Sequence, residues 1–166
     1  LHTDWTFSAR YVDTSVDRAR WRFTANYRVL PTLQLGIEFN AAVEEVNPLV
    51  TWFILTESDR RPAMFLGTSS DRIGSPEGEQ AYYATASKYV PFLRTAAYAS
   101  LNYSEWDDGF NIPFGAAFEI GYGLSTRYMY DGQRSHALLD YYWKNVGVSL
   151  MWVWLETLGV SFNGGF

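Results

Sequence analysis

Cysteine is absent from the 166 residues. The chain can therefore build neither a disulfide scaffold nor a cysteine-ligated zinc site. Charge is scarce as well: Asp, Glu, Lys and Arg make up 19%, below the ~25% of an ordinary soluble domain. Acidic residues outnumber basic ones, 18 to 13, for a formal net charge of −5. That balance repels phosphate backbones and disfavours a nucleic-acid partner. No long apolar run exists either. The longest, Val146 to Leu155, is broken by Gly147 and Ser149, and a membrane-spanning helix needs about 20 residues. The opening Leu1-His2-Thr3-Asp4 carries no basic or apolar signal region. What is present is apolar and aromatic surface: 48% hydrophobic and 18% aromatic residues, ample for a folded core. The length suits one domain, residues 1–166.

The dominant period is two. Trp5, Phe7, Ala9 and Tyr11 alternate with Thr6, Ser8 and Arg10. Trp21, Phe23, Ala25, Tyr27 and Val29 alternate with Arg20, Arg22, Thr24, Asn26 and Arg28. Leu33, Leu35, Ile37 and Phe39 alternate with Gln34, Gly36, Glu38 and Asn40. Val146, Val148, Leu150, Trp152 and Trp154 form another such face, as do Leu158, Val160, Phe162 and Phe166. Strands send successive side chains to opposite faces, so each segment has one apolar and one polar face.

Turn-forming residues separate these segments. They fall at Asp13-Thr14-Ser15, Leu30-Pro31-Thr32, Glu45-Val46-Asn47-Pro48, Ser58 to Pro62, Ser70 to Glu79 and Val90-Pro91. Further along come Asp107-Asp108-Gly109, Gly121-Tyr122-Gly123, Asp131-Gly132, Lys144-Asn145 and Glu156-Thr157. These breaks predict twelve strands; without those at Gly121–Gly123 and Lys144-Asn145 there would be ten. The expected fold is all-β, an antiparallel up-and-down barrel.

Such a barrel can bury its apolar face inward, as lipocalins do, or turn it toward lipid around a polar lumen. The lipid-facing version fits the charged residues in mid-strand on the polar faces. It also fits aromatics near strand ends: Trp5, Tyr11, Trp21, Phe39, Tyr103, Phe114, Tyr128, Tyr130, Tyr141, Trp143, Trp152 and Trp154. Membrane barrels carry girdles of this kind. Val160-Ser161-Phe162-Asn163-Gly164-Gly165-Phe166 resembles the C-terminal strand of bacterial outer-membrane β-barrels. The resemblance implies that Phe162 and Phe166 act as an assembly signal read by the barrel-assembly machinery. It also implies an even strand number and a place in the outer membrane, with outer-membrane lipid as surroundings. Gly164 departs from the pattern, which favours a larger apolar residue there. Arg61 to Thr68, Tyr82 to Lys88, Pro113 to Ala116 and Tyr128 to Gly132 further resemble the barrel part of YjbH-type exopolysaccharide-associated proteins. That resemblance implies an acidic polysaccharide or other envelope proteins as partners.

The parity of the strands points Arg10, Arg20, Arg22, Arg28, Arg94, Arg127 and Lys144 into the lumen, against Glu38, Glu44, Glu119 and Asp140. Arg10 beside Arg20, Arg22 and Arg28 would make one basic wall. Rings of Arg or Lys select anions, so a passive channel for small anionic or acidic-sugar solutes is expected. The competing expectation is a closed structural barrel, its lumen filled by salt bridges, that anchors or decorates an envelope assembly. A hydrolase around His136, with Ser149, Asp140 or Glu119, is a third reading. The chain lacks a Gly-x-Ser-x-Gly elbow, since Gly159-Val160-Ser161-Phe162-Asn163 fails at its last position. Glu105, Asp107 and Asp108 could offer oxygen ligands to Ca²⁺, but their spacing is that of a solvated hairpin tip. No metal site and no cofactor are expected.

Overall fold

The computed structural model describes residues 4–166, and His2 lies outside them. Thirteen strand segments follow one another: β1 (Trp5–Val12), β2 (Trp21–Leu30), β3 (Leu33–Asn40), β4 (Glu45–Leu55), β5 (Ala63–Ser70), β6 (Gln80–Val90), β7 (Thr95–Ser104), β8 (Gly109–Asn111), β9 (Phe114–Gly121), β10 (Leu124–Tyr130), β11 (Ser135–Trp143), β12 (Val146–Val153) and β13 (Thr157–Gly165). A single helical turn, α1 (Asp17–Arg20), precedes β2, and a 3₁₀ turn covers Pro91–Leu93. Apart from β8 and β9, which do not pair with each other, each strand pairs antiparallel with its neighbours in sequence, and β1 pairs with β13 to close the ring. Both β8 and β9 pair with β7. They form one stave interrupted at Ile112-Pro113, because proline lacks the N–H a ladder needs. The result is the expected twelve-stave, up-and-down barrel.

Ten of the eleven sequence breaks fall between strands or at their ends. The exception is Glu45-Val46-Asn47-Pro48, which is the start of β4. The turn occupies residues 41–44 instead, with Glu44 at φ 54°. Pro48 is tolerated in a strand because the β4–β5 ladder begins only at Val50↔Thr68, so no hydrogen bond to β5 is lost there.

The two rims differ. Both described chain ends lie at one rim, where Trp5 and Phe166 exchange backbone hydrogen bonds of 3.1 and 3.0 Å. This terminal rim has tight connections such as Pro31-Thr32 and Lys144-Asn145. Lys144 has φ 54°, as a two-residue hairpin turn demands. The opposite, far rim carries the two longest connections, 13–20 and 71–79.

The outward face of the barrel is apolar. Ile37, Leu101, Ile120, Leu139 and Leu150 stand exposed on it. Aromatic pairs cluster toward the rims: Trp5 with Tyr27 (ring centroids 4.7 Å apart) at the terminal rim, Tyr11 with Trp21 (4.9 Å) and Phe114 with Tyr130 (5.2 Å) toward the far one. Trp154 does not join Trp152 on this face. It sits at φ 55° in the turn after β12, its ring over Gly74.

Large inward side chains occupy part of the lumen. Tyr83 lies against Gly67 and Tyr98 against Gly115; a Cβ on Gly115 would come within 2.8 Å of the Tyr98 ring. Beneath the far rim, Val12, Leu138, Met151 and Val153 form a small buried apolar cluster, covered by Ile73, Met129 and Trp154.

Candidate functional site

The connection 71–79 folds across the far mouth of the barrel, and its contacts define the site. Its Ile73 packs on the apolar cluster. Its Ser75, 1% exposed, accepts a hydrogen bond on Oγ from Arg18 Nη1 at 2.6 Å. Arg18, on α1, in turn donates Nε to Glu45 Oε2 at 2.7 Å. The N–H of Gly78 donates to the other oxygen of Glu45. At the start of the loop, Ser104 on β7 donates to Asp71 Oδ2 at 2.5 Å. Arg72 makes a two-toothed pair with Asp107 (2.6 and 2.9 Å) and lies 4.1 Å from the Trp106 ring centroid. The loop is a lid latched on α1, β4, β7 and the β7–β8 turn.

Below the lid runs a polar network. Arg10 on β1 faces Arg22 on β2 directly across the ladder. Arg22 Nη2 is 2.5 Å from Glu38 Oε2 on β3, and Glu38 is 1% exposed. Asn40 (2.9 Å) and Ser70 (2.6 Å) donate to the other Glu38 oxygen. Arg10, Arg18, Arg22, Glu38, Ser70 and the lid residues line a cavity of about 240 Å³. Farther down, Arg127 Nε and Nη2 grip both oxygens of Asp140 at 3.1 and 2.8 Å. Ser149 also donates to Asp140.

The expected basic wall is therefore divided. Only Arg10 and Arg22 are neighbours. Arg20 ends α1 and donates to the Thr14 carbonyl from Nε and Nη2, both at 3.3 Å, so it caps the rim instead of lining the lumen. Arg28 lies six residues further along β2, about 20 Å away at the rise of a strand. There it donates to the Pro31 carbonyl at 3.1 Å, with its guanidinium 4.8 Å from the Phe53 ring centroid. Arg94 is exposed at the terminal rim, 4.0 Å from Glu119. Lys144 sits in the β11–β12 turn, 4.8 Å from the Trp143 ring centroid. Glu44 is in the exposed β3–β4 turn, and its neighbour Glu45 is the carboxylate that takes part in the network. Alternation along a strand fixes the side a residue faces; it carries no information on height along the barrel axis.

His136 is buried at the far rim. Its Nε2 lies 2.8 Å from Asp131 Oδ2, and Nδ1 accepts the Trp154 N–H at 3.1 Å. Because Nδ1 accepts, Nε2 carries the proton and donates it to Asp131. Burial on its own pushes the Asp131 carboxyl up. The hydrogen bonds from His136 and from the Arg134 and Gln133 amides outweigh that and hold it below its ordinary range. Ser149, which the hydrolase reading set beside His136, is on Asp140, so these groups do not converge on one point. Glu105, Asp107 and Asp108 diverge: Glu105 accepts from the Gln80 N–H, Asp107 from Arg72, Asp108 from Tyr103. The Arg72 hydrogen bonds hold Asp107 below the usual carboxylate range. Among the described residues no group of three or more potential metal ligands forms.

Arg18 and Glu45 were not among the residues the sequence pointed to, and Asp71 and Ser75 stood out only as members of the longest loop, where a partner or ligand contact was possible. The one signal available was the length and small-residue content of the connection at 71–79, since long loops on a rigid barrel tend to carry function. No family model matches the chain, and no curated protein matches it.

Proposed function

We propose that the chain is a lipid-embedded, closed β-barrel of the bacterial outer membrane, an anchor or scaffold for envelope components in place of an open pore. What supports the membrane part is the inversion of the barrel. Apolar side chains such as Ile37 and Leu150 face outward, while Glu38, Asp140 and Ser149 are buried inside. Soluble monomers rarely leave contiguous apolar patches above a few hundred Å² uncovered. The dimensions agree: a ten-residue strand such as β2, at about 3.4 Å per residue and tilted about 40°, covers about 26 Å, close to the apolar band of a membrane barrel. In that setting the rim aromatics lie at the lipid interfaces.

The closed state is carried by one observation: the lid 71–79 is latched across the far mouth through Arg18, Glu45 and Ser75. Tyr83, Tyr98 and the Arg127–Asp140 pair occupy the barrel below it. Passage of a polysaccharide chain through this lumen forms no part of the proposal. The test is planar-bilayer recording with folded, heat-modifiable protein. The expected result is silence. Discrete openings with an anion-selective reversal potential would overturn the closed reading in favour of the Arg-lined channel.

A further inference from the structure

The arginines around the lidded cavity, Arg10 apart, can each be matched with a carboxylate. Arg18 takes Glu45, Arg22 takes Glu38, Arg72 takes Asp107, and His136 donates to Asp131. Asp71 is engaged by the Ser104 hydroxyl and the Arg72 and Trp106 amides. Arg10 is left over. Among the described residues it makes no ion pair, and its buried Nε has no hydrogen-bond acceptor. Arg22 Nε and Arg18 Nη2 are likewise buried with no acceptor, and Arg18 is 7% exposed. All three guanidiniums line the same cavity. Asp71 and Asp131, in the same lining, are held by Ser104, His136 and backbone amides, so no carboxylate answers Arg10, which already faces the like charge of Arg22 across the β1–β2 ladder. Neighbouring like charges repel, and a buried charge without a partner is costly.

We propose that this cavity is a binding site for one small oxyanion, a carboxylate or phosphate group. The planar N–H forks of guanidinium match the paired oxygens of such groups. A bound anion would accept from Arg10, with Arg22 Nε and Arg18 Nη2 as the neighbouring free donors, and would give Arg10 the partner it lacks. About 240 Å³ holds an oxyanion and a short substituent, not a polymer. The lid that closes the mouth through Arg18 and Ser75 would hold the anion in place. Sequestration in a closed barrel goes beyond anchoring, and it is read in detergent without any current. Failure of one reading is therefore separable from failure of the other.

The experiment uses the folded chain in zwitterionic detergent at constant ionic strength. Acetate and inorganic phosphate are titrated separately and followed by calorimetry and by the thermal midpoint of tryptophan fluorescence. Wild-type protein is expected to bind one of them at a single saturable site; the tighter of the two identifies the group. Arg10→Gln should weaken that binding about tenfold or more, the loss of one charge-assisted contact. Arg10→Met guards against a folding artefact: in anion-free buffer it should raise the midpoint, since it removes an unpaired buried charge, and the rise with added anion should vanish. Absence of saturable binding by both probes would overturn the proposal. So would binding unchanged in Arg10→Gln, or an Arg10→Met protein that is less stable than wild type without anion.

Discussion

Glu38 answers Arg22 and not Arg10. The two arginines are cross-strand partners, yet only Arg22 Nη2 reaches the carboxylate, at 2.5 Å. Glu38 is closed off on its other sides by Asn40 and Ser70. Among the described residues the pair is one of two strand-to-strand ion pairs, with Arg127–Asp140, that tie neighbouring staves together from inside the barrel.

Arg22→Met should destabilise the barrel by about 3–5 kcal/mol, because it strands the Glu38 carboxylate in the interior without its cation. The double variant Arg22→Met/Glu38→Met should recover most of that loss, since neither charge is then left uncompensated. Urea unfolding of both variants, followed by tryptophan fluorescence, gives the comparison. Equal losses in the single and double variants would show that packing, and not charge, dominates at this position.

The lid should loosen when its latch is cut. Ser75→Ala takes the 2.6 Å acceptor from Arg18 Nη1 and leaves it only the Ser75 carbonyl at 3.4 Å, a cost of about 1 kcal/mol. Arg72, on the lid, should then become a trypsin site in the folded barrel, with a cleavage rate well above that of wild type. Deleting 72–78 should convert a silent barrel into one with discrete openings in a bilayer. If the deletion stays silent, the side chains beneath the lid close the lumen by themselves.

Ile37 reports on what surrounds the barrel. It stands 56% exposed on the outer face, across from Ala25 and Pro48. In a bilayer, Ile37→Lys should cost about 2–4 kcal/mol, the penalty for a cation near mid-membrane. In water the same change would be close to neutral. Folding titrations into lipid vesicles measure the difference, and a neutral result there would remove the membrane reading.

Acid should attack the far rim through Asp131. Its carboxyl is held below the ordinary range by His136 and two backbone amides, in spite of burial. A depressed value in the folded state means that the stabilisation is present above the unfolded carboxyl's value, about 3.9. It is lost as pH falls through the lower, folded value. Asp131→Asn should lower stability at pH 7 and flatten the acid limb of the stability curve below about pH 4. Thermal midpoints of both proteins between pH 7 and pH 2 provide the check; parallel curves would assign the acid sensitivity to other carboxyls.

The architecture was legible because its causes are local. A period of two, broken by Pro31, Asp131-Gly132 or Lys144-Asn145, fixes strands and turns through backbone geometry alone. Pro48 misled for the same reason: proline reads as a break, and only the place where the β4–β5 ladder begins shows why this one is harmless. The break at Ile112-Pro113 within one stave went unread because the two halves keep a common partner in β7. In the site, Arg10, Arg22, Glu38, Arg127 and Asp140 lie together inside the barrel, while Arg20, Arg28, Arg94 and Lys144 are spread over both rims.

The sequence by itself determined which residues alternate, how many staves result and which face of each is apolar, since all three follow from side-chain direction along a strand. Tertiary structure alone decided which charges meet. Glu38 finds Arg22 because β2 and β3 have one particular register. Arg18 finds Glu45 and Ser75 across 27 and 57 residues of chain. Arg10 keeps no partner because ring closure sets Arg22 on one side of it and Ser161 on the other. Register, ring closure and the path of a loop over a rim are long-range properties, and no local pattern in the chain encodes them.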